Sequence, residues 1–339
     1  MKKILSIDGG GIRGIIPGQV LVALEKKLQA KSKNPEARIA DYFDFFAGTS
    51  TGGILTCIHL CPDEEKPGKA RFSAQQAVDL YVEHGSRIFD VSLYQKIKAA
   101  NGILDEKFNA AAIEACLNQY FGDIKLSQLL KPCIITSYDI QNRAAHFFAQ
   151  HDYLKRGDGG DFLVKDVCRA TSAAPTYFEA AKVKSLSNVS YPLIDGGVFV
   201  NNPALCAYSE VRNSNGFPTA ENMFIVSIGT GSENKEYDYD KAKDWGAAGW
   251  IRPLIDIMMS GASETTHYHL IKMFSAQGHQ DNYIRIQPSK MKNAKFEMDD
   301  AHPENIAALV EVGTVTAEDC PDLDRIVDTL LNDKDSVTF

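Results

Sequence analysis

Three short segments carry residue types and spacings suited to chemistry at an ester or a phosphate: DGGGIRG over Asp8–Gly14, GTSTG over Gly48–Gly52 and DGG over Asp195–Gly197. The middle segment is a G-x-S-x-G. Between a strand and a helix this spacing forms a nucleophile elbow, because small neighbours such as Gly48 and Gly52 tolerate the strained turn that lifts the Ser50 hydroxyl above a sheet edge. A helix starting near Thr51 adds free N–H groups, that of Thr51 first, and the positive end of its dipole beside developing negative charge. The bare alternative is a Gly/Ser-rich turn without chemistry, and the flanking strand and helix weigh against it.

Gly9, Gly11 and Gly14 satisfy G-x-G-x-x-G, a weak signal shared by dinucleotide sites, phosphate loops and oxyanion holes. A dinucleotide site requires an acid at the end of the second strand, whereas here that strand runs into GTSTGG. An actin-like phosphotransferase would use Asp8 near a metal-bound phosphate and SIGTGS, Ser227–Ser232, as a second phosphate loop. In that fold the first loop turns a hairpin, but here an amphipathic helix follows at once. The remaining role is oxyanion stabilisation by backbone amides around Gly10, Gly11 and Ile12. Arg13 either adds positive charge to that hole or pins the loop to a carboxylate, and the residues do not choose between the two.

Ser50 needs a base. None of the eight histidines lies in a motif that singles it out; His279 and His302 occur late enough to imitate a triad base, but a solvent-facing or core role is the plainer account of both. Asp195 ends an apolar strand and precedes Gly196 and Gly197, which permit an open turn. It is either a carboxylate base or an Asp-Gly turn with no chemistry.

These loops require a sheet. KKILSID, YFDFFAG, PCIITSYDI, AAHFFAQ, YPLID and MFIVSI read as strands, and helical spacing follows the first glycines at Val20, Leu21, Leu24 and Leu28. Further helices are expected around Ala77 to His84, around Phe108 to Tyr120, in FLVKDVCRATSAAP up to Pro175, and from Ala204. The alternation predicts a three-layer α/β fold with a mainly parallel central sheet flanked by helices. Residues 4–210 hold all three motifs as one core, and residues 211–339 are expected to continue the same domain.

The chain has 339 residues and a formal charge of −8, which gives no general attraction to a nucleic acid polymer. Its seven cysteines are scattered and odd in number, suggesting neither a disulfide framework nor a zinc site. Asp8 interrupts the first apolar run too early for a signal peptide, and no uncharged stretch reads as a transmembrane segment. A cytoplasmic protein with reduced thiols is expected, and any membrane contact would be transient and peripheral.

GGGIRG, GTSTG and DGG, in this order and spacing, resemble the patatin-like phospholipases, as do ATSAAPTYF at Ala170–Phe178, VNNP at Val200–Pro203 and SIGTG at Ser227–Gly231. The later segment from Trp245, with YIRIQ, is similar to the plant patatin branch and its bacterial relatives. The resemblance implies a patatin-like fold with a Ser/Asp dyad: Ser50 as nucleophile, Asp195 as base, and Gly9, Gly10, Gly11, Ile12, Arg13 and Gly14 as the oxyanion loop. It also implies hydrolysis of acyl esters in phospholipid or another lipid, with no metal or cofactor, and an activating ligand or protein in some members. Trp245 and Trp250 lead an amphipathic stretch within 245–275, readable as a lid or interface helix or simply as core. A catalytically silent lipid-binding module is the alternative to an enzyme.

Overall fold

The computed structural model describes residues 1–89, 108–231 and 236–332. At its centre is an eight-stranded sheet in the order β5-β6-β3-β2-β1-β7-β8, with β4 on the far side of β3. The strands are β1 Lys2–Ile7, β2 Phe45–Thr49, β3 Cys133–Asp139, β4 Ala144–Ala149, β5 Ala181–Lys184, β6 Ser190–Asp195, β7 Met223–Ile228 and β8 Tyr283–Ile286. Pairings from β3 through β2, β1 and β7 to β8 are parallel. Those of β3 with β4, β3 with β6 and β5 with β6 are antiparallel.

β1, β2 and β7 are buried at every residue, as expected of parallel strands covered on both faces. Alternate side chains divide between two cores. Leu5, Ile7, Phe46, Ile135, Val226 and Ile228 join the larger one. Ile4, Phe45, Ala47, Ile134 and Ile225 join a smaller one on the opposite face. The period-2 geometry of strands thus sorts one continuous apolar run into two layers.

The larger core is covered by α1 Ile15–Ser32, α2 Thr51–Leu60, α3 Ala74–Ile88, α4 Ala110–Phe121 and α5 Val164–Thr171, together with α8 Pro303–Glu318 and α9 Leu323–Asn332. The smaller core lies under α6 Ala204–Arg212 and α7 Ala247–Ala276. β7 and β8 therefore sit in the same sheet as β1, and α8 packs on α1, so segments beyond residue 210 complete both the sheet and its cover. α5 stops at Thr171, short of the expected Pro175, and the Ala173–Phe178 stretch turns back on itself through Tyr177 and Phe178 amides bonded to the Ala174 carbonyl.

Candidate active site

Ser50 lies between the last residue of β2 and the first of α2, with φ 54° and ψ −124°. A non-glycine residue pays for this left-handed geometry in strain, and here neighbours hold it in place. The Ser50 amide donates to Thr171 Oγ1 at 2.8 Å, and Thr171 Oγ1 donates to the Thr136 carbonyl at 2.7 Å. Thr49 Oγ1 lies 2.7 Å from Thr136 Oγ1 and donates to the Val200 carbonyl at 2.8 Å. Three buried threonines from β2, β3 and α5 thus clamp the elbow from below.

The glycines of the elbow are required by close backbone approach. A Cβ on Gly48 would meet the Gly52 carbonyl oxygen at 2.3 Å, and one on Gly52 would meet the Ile7 carbonyl oxygen at 2.1 Å. These contacts hold α2 hard against the ends of β1 and β2.

Asp195 reaches the same rim by a different route. β3 runs on past the Thr49–Thr136 level, and β6 returns along it antiparallel, so that Asp195 pairs with Ser137. The Ser50 side chain is near enough to the Asp195 carboxylate to favour its ionised form. Asp195 Oδ1 also accepts the Gly197 amide at 2.7 Å. Burial pushes the Asp195 pKa up to about 7, against the lowering effects of the Ser50 side chain and the Gly197 amide.

The Gly9–Gly14 loop leaves fewer free amides than its motif suggests. The Gly9 amide is taken by the Asn201 carbonyl at 3.1 Å, that of Ile12 by the Met298 carbonyl at 2.8 Å, and that of Arg13 by the Gly10 carbonyl at 3.2 Å. The expectation that Ile12 supplies a free donor is therefore corrected: Met298, far along the chain, consumes it. Among the described residues, the amides of Gly10, Gly11 and Thr51 have no protein acceptor. Gly14 lets the loop close on α2, since a Cβ there would lie 2.1 Å from Thr51 Oγ1.

Arg13 pins the loop through carbonyls. Its Nε donates to the Gly10 carbonyl at 3.4 Å and its NH1 to the Gly231 carbonyl at 3.3 Å, with the guanidinium over the Phe296 ring. Asp8 pairs with Arg285 in the protein interior, and Thr230 Oγ1 donates to the Gly9 carbonyl at 2.7 Å. What was weighed as a second phosphate loop thus braces the first loop; Ser232, at its end, lies outside the described residues.

Ser50, Thr51, Gly11, Asp195 and Gly197 open onto a cleft of about 890 Å³ including its mouth. Leu80, Tyr81 and Ile88 of α3, Ile113, Cys116 and Leu117 of α4, and Ile255 and Met259 of α7 give it largely apolar walls. No histidine among the described residues lines it. Burial lowers His59 and His146 to about 4, keeping them neutral. His302 stands at the N-cap position of α8 without a side-chain capping bond, and His279 stands beside the short turn before β8.

Sequence reasoning missed Tyr81 and Asn201. The Tyr81 hydroxyl accepts from Thr51 Oγ1 at 2.7 Å and donates to the Thr51 carbonyl at 3.1 Å, which fixes the first residue of α2. Tyr81 stands in an ordinary amphipathic helix, with no local signal. Asn201 belongs to the VNNP segment, whose paired asparagines before a proline were the available signal.

On α7, Ile255 and Met259 face the cleft while Trp250, Leu254, Ile257 and Met258 are 40–48% exposed. Trp245 and Trp250 meet edge to face with centroids 5.1 Å apart. No helix of the described residues is long and apolar enough to cross a membrane.

The family model described as patatin-like phospholipase matches residues 5–208. Patatin-like protein 2 of Oryza sativa subsp. indica is 35% identical over 92% of this chain and 83% of its own. A protein named probable inactive patatin-3-Kuras 1, from Solanum tuberosum, is 31% identical over 92% of this chain and 85% of its own. Among solved structures, human GIVD cytosolic phospholipase A2 in complex with methyl gamma-linolenyl fluorophosphonate aligns with a TM-score of 0.47 and 13% identity, over 97% of this chain and 58% of that one. The family model takes in the Gly9–Gly14 loop, the Ser50 elbow and the strand that ends at Asp195, and the rice relative extends the likeness over nearly the whole sequence: the chain belongs to the patatin-like phospholipase family.

Proposed function

We propose that this protein is a lipid acyl hydrolase of phospholipase A or lysophospholipase type, cleaving carboxylic esters of membrane glycerolipids. The observation that carries the reading is that Ser50 and a buried Asp195, whose pKa lies about 7 and is lowered by the Ser50 side chain, line the same apolar cleft. An ordinary aspartate is a poor base for serine; one near neutrality is matched to the task. Ser50 Oγ attacks the acyl carbonyl while its proton passes to Asp195. The negative oxygen settles against the amides of Gly10, Gly11 and Thr51, each such donor contributing about 2.7–4 kcal/mol of transition-state stabilisation. Asp195 then protonates the leaving alcohol, and water cleaves the acyl-enzyme.

The apolar walls suit an acyl chain, and the exposed Trp250, Leu254, Ile257 and Met258 beside the mouth suit transient contact with a bilayer surface. Seven unpaired cysteines suit a reducing, cytoplasmic setting. An activating ligand or protein, expected from the resemblance, has no assigned place among these residues. The alternative of a silent lipid-binding module is favoured by the name of the potato relative, but leaves the strained elbow and the neutral-range acid without a purpose. A phosphotransferase would need Asp8, which Arg285 already holds.

The deciding experiment incubates purified protein with defined phospholipids and reads fatty acid and lysolipid by mass spectrometry, with a fluorophosphonate probe mapped by peptide sequencing. Release of fatty acid together with labelling at Ser50 supports the hydrolase. Lipid binding without either supports the silent module.

A further inference from the structure

The amides of Gly10, Gly11 and Thr51 can hold a negative oxygen only if their peptide planes are turned the right way. In a planar trans peptide the N–H points opposite to the C=O of the same unit, so whatever grips the carbonyl aims the amide. Two of the three planes are held from within their own segments. The Gly10 carbonyl, which aims the Gly11 amide, accepts the Arg13 amide at 3.2 Å and Arg13 Nε at 3.4 Å. The Ser50 carbonyl, which aims the Thr51 amide, accepts the Ile54 amide at 3.1 Å in the first turn of α2.

The plane between Gly9 and Gly10 is the hardest to hold, because it has a glycine on each side and no Cβ restricts its rotation. Its carbonyl is gripped from outside the loop, by the Thr230 hydroxyl at 2.7 Å. Thr230 is buried and stands just beyond Ile228, the last residue of β7. Gly10 lets this hydroxyl close in, since a Cβ there would collide with Thr230 Oγ1. In the sheet, β1 lies between β7 and β2. With the Gly9 carbonyl turned toward Thr230 past the end of β7, the Gly10 N–H is turned the other way, toward Ser50 past the end of β2. Gly9 already backs onto that residue: its empty Cβ sector meets Ser50 Cβ at 3.2 Å.

We propose that Thr230 is a positioning residue for ester hydrolysis: by holding the Gly9 carbonyl, its hydroxyl keeps the Gly10 amide aimed at the oxyanion that forms when Ser50 attacks an acyl carbonyl. Thr230 acts through one peptide plane and has no need to touch the substrate. Without the hydroxyl the Gly9 carbonyl loses its partner and the plane can turn, so the amide is still present but no longer fixed before charge develops. An uncharged ester in the cleft makes little use of that amide; the tetrahedral adduct depends on it. The inference rests on Ser50 being the nucleophile of the proposed hydrolase.

The test uses the full-length protein, p-nitrophenyl butyrate, and the variants Thr230→Val, which keeps the shape and loses the hydroxyl, and Thr230→Ser, which keeps the hydroxyl. Thr230→Val lowers kcat roughly tenfold with KM little changed, short of the roughly hundredfold or more that follows outright loss of a donor, while Thr230→Ser stays within about twofold of wild type. A trifluoromethyl ketone, whose adduct with Ser50 carries the oxyanion, binds roughly tenfold more weakly to Thr230→Val, whereas an uncharged ether of the same chain length binds as it does to wild type. Thr230→Cys, whose thiol is a weak donor, shows a smaller change in the same sense and serves if Thr230→Val does not fold. Wild-type kcat in Thr230→Val, equal losses in Thr230→Val and Thr230→Ser, or equal weakening of ketone and ether overturns the inference. Wild-type protein that a fluorophosphonate fails to label at Ser50 overturns the Ser50 reading itself.

Discussion

Asp195 shares the cleft rim with Ser50, whose side chain lowers its pKa as the bonded Gly197 amide also does, yet that pKa stays about 7 because Asp195 is buried. Both neighbours favour the carboxylate and lower its pKa; exclusion from water favours the neutral acid and outweighs them. A carboxyl group on the verge of ionisation results.

The pH dependence follows. Only the ionised form of Asp195 can take the serine proton, so kcat/KM on a soluble ester rises with pH and levels off above about 7. Below that point it falls roughly tenfold per unit. A flat profile between about pH 5 and 8 contradicts the assignment of Asp195 as the base.

The same burial has a cost in stability. Below about pH 4 both folded and unfolded chains carry the neutral acid. As pH rises toward 7 the unfolded chain ionises and the folded one does not, so stability is lost at about 1.36 kcal/mol per unit, roughly 4 kcal/mol at most. Asp195→Asn keeps the acceptor for Gly197 and cannot ionise. It should abolish turnover while melting higher than wild type at pH 8, with the advantage shrinking steadily in thermal scans toward pH 4.

Backbone strain at Ser50 separates two inactive variants. Both Ser50→Ala and Ser50→Gly remove the proposed nucleophile's hydroxyl, but only glycine accepts φ 54° without penalty. Chemical denaturation should find Ser50→Gly the more stable by about 1 kcal/mol, within the range of roughly 1–3 kcal/mol for such strain. An alanine variant of equal or greater stability would mean that the elbow is relaxed.

Tyr81→Phe frees Thr51 at the start of α2 while leaving the apolar wall nearly intact. Loss of the hydroxyl leaves Thr51 Oγ1 without its partner, at about 1–3 kcal/mol. Steady-state kinetics should show kcat lowered roughly tenfold with KM little changed, the signature of a donor that acts in the transition state. A rise in KM alone would place Tyr81 in acyl-chain binding.

Trp250→Ala separates the surface from the chemistry. The exposed indole is expected to matter on phospholipid vesicles, where activity drops about tenfold, and to matter little on a dissolved short-chain ester. Equal losses on both substrates remove the case for an interfacial role of α7.

Local sequence determined the elements and the chemical vocabulary. Apolar runs ending in glycine marked β1, β2 and β7. The G-x-S-x-G spacing placed Ser50 between strand and helix, and Asp195 closed a strand before two glycines. These are short-range matters of sterics and burial, readable in a few residues. The tertiary structure decided which groups meet. β6 brings Asp195 to Ser50 by running antiparallel to β3, a pairing that no periodicity records. Met298 removes the Ile12 amide from the oxyanion loop, and Thr171, Tyr81 and Thr230 brace that loop and the elbow from three other segments. The rise in the Asp195 pKa has the same origin, because desolvation belongs to the packed interior and not to the carboxylate or its neighbours in the chain.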